Sequence, residues 1–231
     1  MTTPCSTTGA PARFLLLGDS HAGPVGRAAR RARIPFLGGP IGAGREFTDR
    51  FFTARGDDVQ FLDPEAEARY RGFLTQLGAP DLGSLRVPLV VTFGFCAHFL
   101  ATRENWRLYQ EPDGSWPAGF LTGPLFDAII RASVRDALAF YSHARGLGLR
   151  TLAVLPPQRV PGQSDPAVFT AAQEAVLRAV RALDVETVDL RDRTTGPDGR
   201  QRPELCEPDD EIHGNLAFGR LVLAELLDRG L

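Results

Sequence analysis

Phe14 to Leu17 is an unbroken apolar run that stops at Gly18-Asp19-Ser20. This pattern narrows the fold more than any other feature of the chain. A strand with one wet face alternates polar and apolar residues, whereas a run without alternation has both faces covered, as in a parallel sheet packed between helices. Leu89 to Phe93 repeats the pattern and stops at Gly94, Thr151 to Leu155 stops at Pro156-Pro157, and Glu186 to Leu190 ends in a charged loop. Ile34 to Leu37 reads as a second short strand, and Val59 to Leu62 as an extra edge strand.

Helical spacing fills the intervals. Ala22 to Arg33 sorts its Ala and Arg residues onto opposite faces. Glu46 to Ala54 and Pro64 to Leu77 also read as helices, the latter with Asp63 as N-cap and Pro64 at the first helical position. Leu125 to Leu147 reads as one long amphipathic helix, followed by helices from Asp165 or Pro166 to Leu183 and from Asn215 to Arg229. Alternating strands and helices predict an α/β fold: a three-layer α/β/α sandwich with a parallel sheet of about five strands. Residues 13–231 read as one domain. Residues 104–123 hold Trp106, Tyr109, Trp116 and Phe120 with no sustained period and read as an insertion or lid, and residues 1–12 as a mobile leader.

Composition narrows the partners. A net charge of −2 gives no electrostatic case for nucleic acid or an anionic membrane surface, and a small-molecule substrate fits better. All 26 basic residues are arginine, from which no chemistry is read. Cys5, Cys96 and Cys206 are too scattered for a disulfide framework, and with no signal-peptide pattern or long apolar stretch they predict a cytoplasmic protein. Four histidines dispersed along the chain give no ligand-spaced cluster, so neither a metal nor another cofactor is expected. The oligomeric state is not legible.

Two short elements carry chemistry. Ser20 stands at the carboxyl edge of the first strand, just before a helix, where its hydroxyl projects from the sheet and its N–H faces a ligand. Asp210 and His213 lie three apart in the loop before the last helix, and together they supply a base and the carboxylate that orients it. Gly-Asp-Ser alone is also a common turn, and Asp-x-x-His alone a common surface loop. Their joint placement, one after the first strand and one before the last helix, is the specific signal.

In these motifs the chain resembles the SGNH, or GDSL-type, serine hydrolases from Phe14 to its end. The resemblance implies a flavodoxin-like fold and a serine esterase working through an acyl-enzyme without a metal. GDSHAG at 18–23 gives Ser20 as nucleophile and its N–H as an oxyanion donor, with His21 in place of the leucine of the family's name. DEIHGNLAFG at 210–219 gives His213 as base and Asp210 as its orienter. A further oxyanion N–H falls within GGPIGAG at 38–44, at Gly44 or, next, Gly42. The family's Gly-x-Asn-Asp motif is absent: the chain reads Gly94-Phe95-Cys96-Ala97-His98, with Cys96 where the asparagine would stand. His98 and, less favoured, Asn105 are candidate substitutes, and Cys96 an alternative nucleophile. Asp19, His21, Cys96, His98 and Trp106 are expected to line the substrate site, while His143 has no chemical company. The implied substrate is an O-acyl ester, such as an acetylated carbohydrate or natural product. An acyltransferase with the same residues, or a weakly active ligand-binding relative lacking the asparagine, remain open.

Overall fold

In a computed structural model the chain is described over residues 11–231, so all but the last two residues of the expected leader, and Cys5, fall outside the described residues. Five parallel strands form the main sheet: β1 (Leu15–Gly18), β2 (Leu37–Pro40), β5 (Leu89–Val91), β6 (Thr151–Val154) and β7 (Glu186–Val188), in the order β2-β1-β5-β6-β7. The alternation of strands and helices thus yields the parallel sheet it predicts, in the flavodoxin-like order that the family resemblance implies, with the crossover point beside β1. β3 (Phe52–Arg55) and β4 (Asp58–Phe61) form a separate antiparallel hairpin.

Successive residues of each strand point to opposite faces, and two cores result. Phe14, Leu16, Val90, Leu152 and Val188 face α1 (Ala22–Arg31) and α9 (Leu216–Asp228). Leu15, Leu17, Leu89, Val91 and Ala153 face the other layer, built from the hairpin, α2 (Pro64–Leu77), α5 (Pro124–Ser133), α6 (Arg135–Gly146) and α7 (Pro166–Arg181). Short helical turns α3 (Ala97–Leu100), α4 (Arg103–Trp106) and α8 (Arg191–Thr194) complete the chain. Among the described residues no helix is long and apolar enough to cross a membrane.

Where the sequence signal is local the elements match expectation. Asp63 caps α2 by accepting from the Ala66 N–H, Pro64 occupies the first turn, and Gly78 ends the helix with φ +66°. Three expectations are corrected. The helix over 46–54 is a 3₁₀ turn (Gly44–Phe47) followed by β3, because Gly56 at φ +60° turns the chain into a hairpin and Phe51 and Phe52 pack on Phe140. The second strand begins at Leu37, since Gly38 and Gly39 adopt φ values of +104° and +148° inside it, and a Cβ on Gly38 would lie 1.9 Å from the Leu16 carbonyl oxygen. The long helix is two. Val134 leaves the helical region (φ −114°, ψ 20°) one residue after the Ser133 hydroxyl donates to the Ile129 carbonyl, a bond that bends helices.

Candidate active site

The packing of α1 on α9 decides what meets what. A Cβ on Gly219 would lie 2.2 Å from the Pro24 carbonyl oxygen, so only glycine lets the first and last helices approach so closely. Ser20 sits just before α1 and His213 just before α9, and the close packing brings their loops together at the carboxyl ends of the strands. His213 Nε2 is 2.7 Å from Ser20 Oγ, and His213 Nδ1 is 2.6 Å from Asp210 Oδ2. Residues 193 positions apart thus form one hydrogen-bonded line, carboxylate to imidazole to hydroxyl.

Asp210 is built to stay charged. Burial alone would raise its pKa, but hydrogen bonds from the His213 ring and from the Ile212 and His213 N–H groups prevail and hold it at about 2. Asn215 fixes the loop from below: its carbonyl caps α9 at Ala217 and Phe218, while its amide donates to Glu204 and Cys206 carbonyls. Arg159, in the loop after β6, donates to the Glu207 and His213 carbonyls at 3.0 Å each and lies 4.0 Å from Asp210 Oδ1. Sequence reading missed Arg159. It belongs to no motif, and its partners lie some fifty residues away in the chain.

Behind the serine lies a buried polar knot. Asp19 is fully buried. Its Oδ1 accepts from the Thr92 hydroxyl and the His21 N–H, and its Oδ2 from the Cys96 thiol at 2.8 Å. Thr92 Oγ1 in turn accepts from the Asp19 N–H. A Cβ on Gly18 would come within 2.0 Å of that Thr92 oxygen, which explains the glycine. Thr92 was also missed, although a polar residue ending the apolar run Pro88 to Val91, at the same sheet edge as Gly18, is a readable signal.

These contacts revise the expected roles. Asp19 braces the serine loop and does not line a cavity, because both of its carboxylate oxygens are engaged by the protein. Cys96 spends its single thiol proton on Asp19, so it cannot supply the donor of the absent asparagine. Burial first, and the Asp19 charge second, push its pKa well up, which also removes it as a nucleophile. Trp106 is corrected as a substrate-lining residue: it is buried, its Nε1 donates to the Leu100 carbonyl, and its ring packs among Tyr109, Trp116, Phe120 and Phe126. Asn105 is exposed on α4.

Gly44 is the better placed of the two candidate glycines. It is buried, a Cβ there would stand 2.7 Å from Cys96 Sγ, and so the β2 loop lies directly over the residues behind Ser20. Gly42 faces Glu46 and Phe47 instead. Neither the Ser20 nor the Gly44 N–H donates to another group among the described residues.

The dispersal of the histidines in sequence misleads. Folding gathers three of the four: the His21 ring lies 5.1 Å from that of His213 and 6.3 Å from that of His98. Burial, reinforced by neighbouring imidazoles, lowers the pKa of His21 and takes that of His98 down to about 4. Both rings are therefore neutral at pH 7. His143 is elsewhere, with Nε2 at 3.1 Å from the Asp58 carbonyl.

No family profile matches the chain, and no curated protein matches it. Solved structures do. A lipolytic protein of the G-D-S-L family from Desulfitobacterium hafniense superposes with a TM-score of 0.51 at 9% identity, over 95% of this chain and 99% of that one. The chain has the GDSL/SGNH hydrolase fold. A protein described as a platelet activating factor from Streptococcus pneumonia also superposes, with a TM-score of 0.51 at 15% identity over 97% of this chain and 86% of that one. So does the acetyl xylan esterase AlAXEase (TM-score 0.50, 11% identity, 94% and 100% coverage).

Proposed function

We propose that the protein is a serine ester hydrolase in which Ser20 attacks an acyl carbonyl, His213 takes the hydroxyl proton, and Asp210 holds the imidazole and stabilises its cation. The observation that carries this reading is the unbroken line Asp210–His213–Ser20 at 2.6 and 2.7 Å. His213 then returns its proton to the leaving alcohol, and water, activated by the same imidazole, clears the acyl-enzyme. The free N–H groups of Ser20 and Gly44 are the oxyanion donors of this reading. A third, side-chain donor is lacking because the Cys96 proton is engaged, and one missing donor costs about a hundredfold or more in rate. A slow esterase is the expectation.

The substrate we favour is a small O-acyl ester, with acetyl on a carbohydrate as the first choice, in keeping with the acetyl xylan esterase among the structural neighbours. A groove of about 620 Å³, lined by Arg159, Gly162, Cys206, Glu207, Asp209 and Glu211, runs along the loop that carries Asp210 and His213. Its walls are mixed, with Val160, Pro161, Pro203 and Pro208 beside the polar residues, and Ser20 is not among them.

A fluorophosphonate serine probe tests the reading. Wild type should be labelled in a single turnover and Ser20→Ala not at all. Absence of labelling in both folded proteins would favour the ligand-binding alternative.

A further inference from the structure

One nitrogen of His21, one of His98 and the Cys96 thiol all lie within 4.8 Å of one another, and all three residues are more than nine-tenths buried. His21 Nδ1 and His98 Nε2 have no hydrogen-bond partner. A buried polar atom left unpaired forfeits its hydration without recompense, so each such atom calls for an explanation. We propose that His21, Cys96 and His98 form a binding site for a borderline-soft divalent transition-metal ion of the Zn²⁺ type.

The donor set suits such an ion. Two imidazoles and a thiolate match Zn²⁺, whose bonds of about 2.0–2.3 Å place tetrahedral ligand atoms roughly 3.3–3.7 Å apart, within about 1.5 Å of the spacing present. Rotation of the His98 ring, on the short α3 turn, is the simplest adjustment. Charge also balances. The ion brings +2, the Cys96 thiol releases its proton to solvent as it ligates, and Asp19, which accepts that proton's hydrogen bond in the structure, lies directly behind. Two negative groups and one divalent cation leave a neutral buried cluster, with Asp19 also accepting from the His21 backbone N–H. Three protein ligands leave a fourth position free. The hardness of Mg²⁺ and Ca²⁺ disfavours them where the ligand atoms are two imidazole nitrogens and a thiolate.

This inference does not rest on the hydrolase reading, and its test is made independent of it. A Cys5→Ser, Cys206→Ser, Ser20→Ala protein leaves Cys96 as the one thiol and removes hydrolysis. Anaerobic titration with Co²⁺ should give a thiolate-to-cobalt charge-transfer band that saturates at one equivalent and is displaced by Zn²⁺. Zn²⁺ should also raise the melting temperature. Adding Cys96→Ser should abolish the band, and His98→Ala should weaken Co²⁺ binding at least tenfold. Absence of a charge-transfer band in the parent protein overturns the proposal, as does a band that survives Cys96→Ser. Because the parent retains all three ligands, its titration decides the matter even if a variant fails to fold. Failure here with intact fluorophosphonate labelling of wild type would leave the esterase reading untouched.

Discussion

Two carboxylates drawn into the fold, half-buried Asp58 and buried Asp19, are built alike and finished differently. Asp58 accepts from the Tyr70 hydroxyl at 2.6 Å, from the Val59 and Leu82 N–H groups, and from the Arg71 guanidinium, whose Nε also pairs with Glu67. Donors and acceptors there are matched, and an arginine neutralises the charge. Asp19 takes three donors, from Thr92, His21 and Cys96, against four at Asp58, yet no arginine pairs with it among the described residues, and two nearby imidazole nitrogens are left unpaired. One cluster ties a hairpin to a helix. The other lies against the candidate nucleophile with its hydrogen bonding incomplete. A completed network rigidifies, whereas an incomplete one is tolerated where function repays the cost.

The largest expected effect falls on the candidate catalytic line that the Asp19 cluster adjoins. Asp210→Asn keeps an oxygen for the Ile212 and His213 N–H groups but loses the charge that fixes the His213 tautomer. The kcat for p-nitrophenyl acetate should fall about a thousandfold, some 4 kcal/mol of barrier, with little change in melting temperature. A fall below tenfold would break the assignment of Asp210. The low pKa carries a pH statement as well. Asp210 is depressed on folding, so the stability it contributes is complete above its unfolded value of 3.8 and fades only as pH drops toward 2. A loss of activity between pH 5 and 7 therefore belongs to some other group.

Asp58→Ala addresses the completed cluster and should do the reverse. Removing the carboxylate strands Arg71 and the Tyr70 hydroxyl, costing about 3 kcal/mol or roughly 10 °C in melting temperature, with hydrolysis unchanged below the new melting point. The Asp58 pKa is lowered: burial opposes this, but the Tyr70 and Arg71 hydrogen bonds outweigh it. Its stabilisation is thus present above pH 3.8 and lost as pH falls through the depressed native value. Chemical denaturation at about pH 7 and about pH 3 should show the wild-type advantage over Asp58→Ala shrinking in acid. An activity loss at neutral pH equal to that of Asp210→Asn would erase the contrast between the two regions.

The two regions also differ in how far the sequence revealed them. Gly18-Asp19-Ser20 and Asp210-x-x-His213 were legible because their roles depend on local placement: a strand end, a helix start, a loop before a helix. The α2 and α7 boundaries were legible for the same reason, each carrying an acidic cap followed by proline. The hairpin was not, since Phe47, Phe51 and Phe52 fit helical spacing as well as the strand that tertiary packing selects. The clustering of His21, His98 and His213 was invisible for a different reason. It depends on the parallel order β1-β5 and on the α1–α9 contact, long-range facts that no window of sequence contains. Arg159 belongs to the same class.

A smaller effect probes the completed cluster one bond at a time. Tyr70→Phe deletes one donor to the Asp58 carboxylate, and hydrogen bonds to charged groups contribute about 1.5–3 kcal/mol, so the melting temperature should drop by several degrees.

The smallest shift is the most discriminating. His98→Leu removes a buried polar ring of similar volume whose Nε2 has no partner, so the hydrogen-bond term lost is near zero and an unpaired polar atom disappears. In chelator-treated protein the variant should have a stability within about 1 kcal/mol of wild type, or above it, while Tyr70→Phe falls clearly below. The sign of that difference reads hydrogen-bond completeness directly. If His98→Leu cost as much as Tyr70→Phe, His98 would hold a bond equal to that of Tyr70, and the two carboxylate clusters would be finished alike after all.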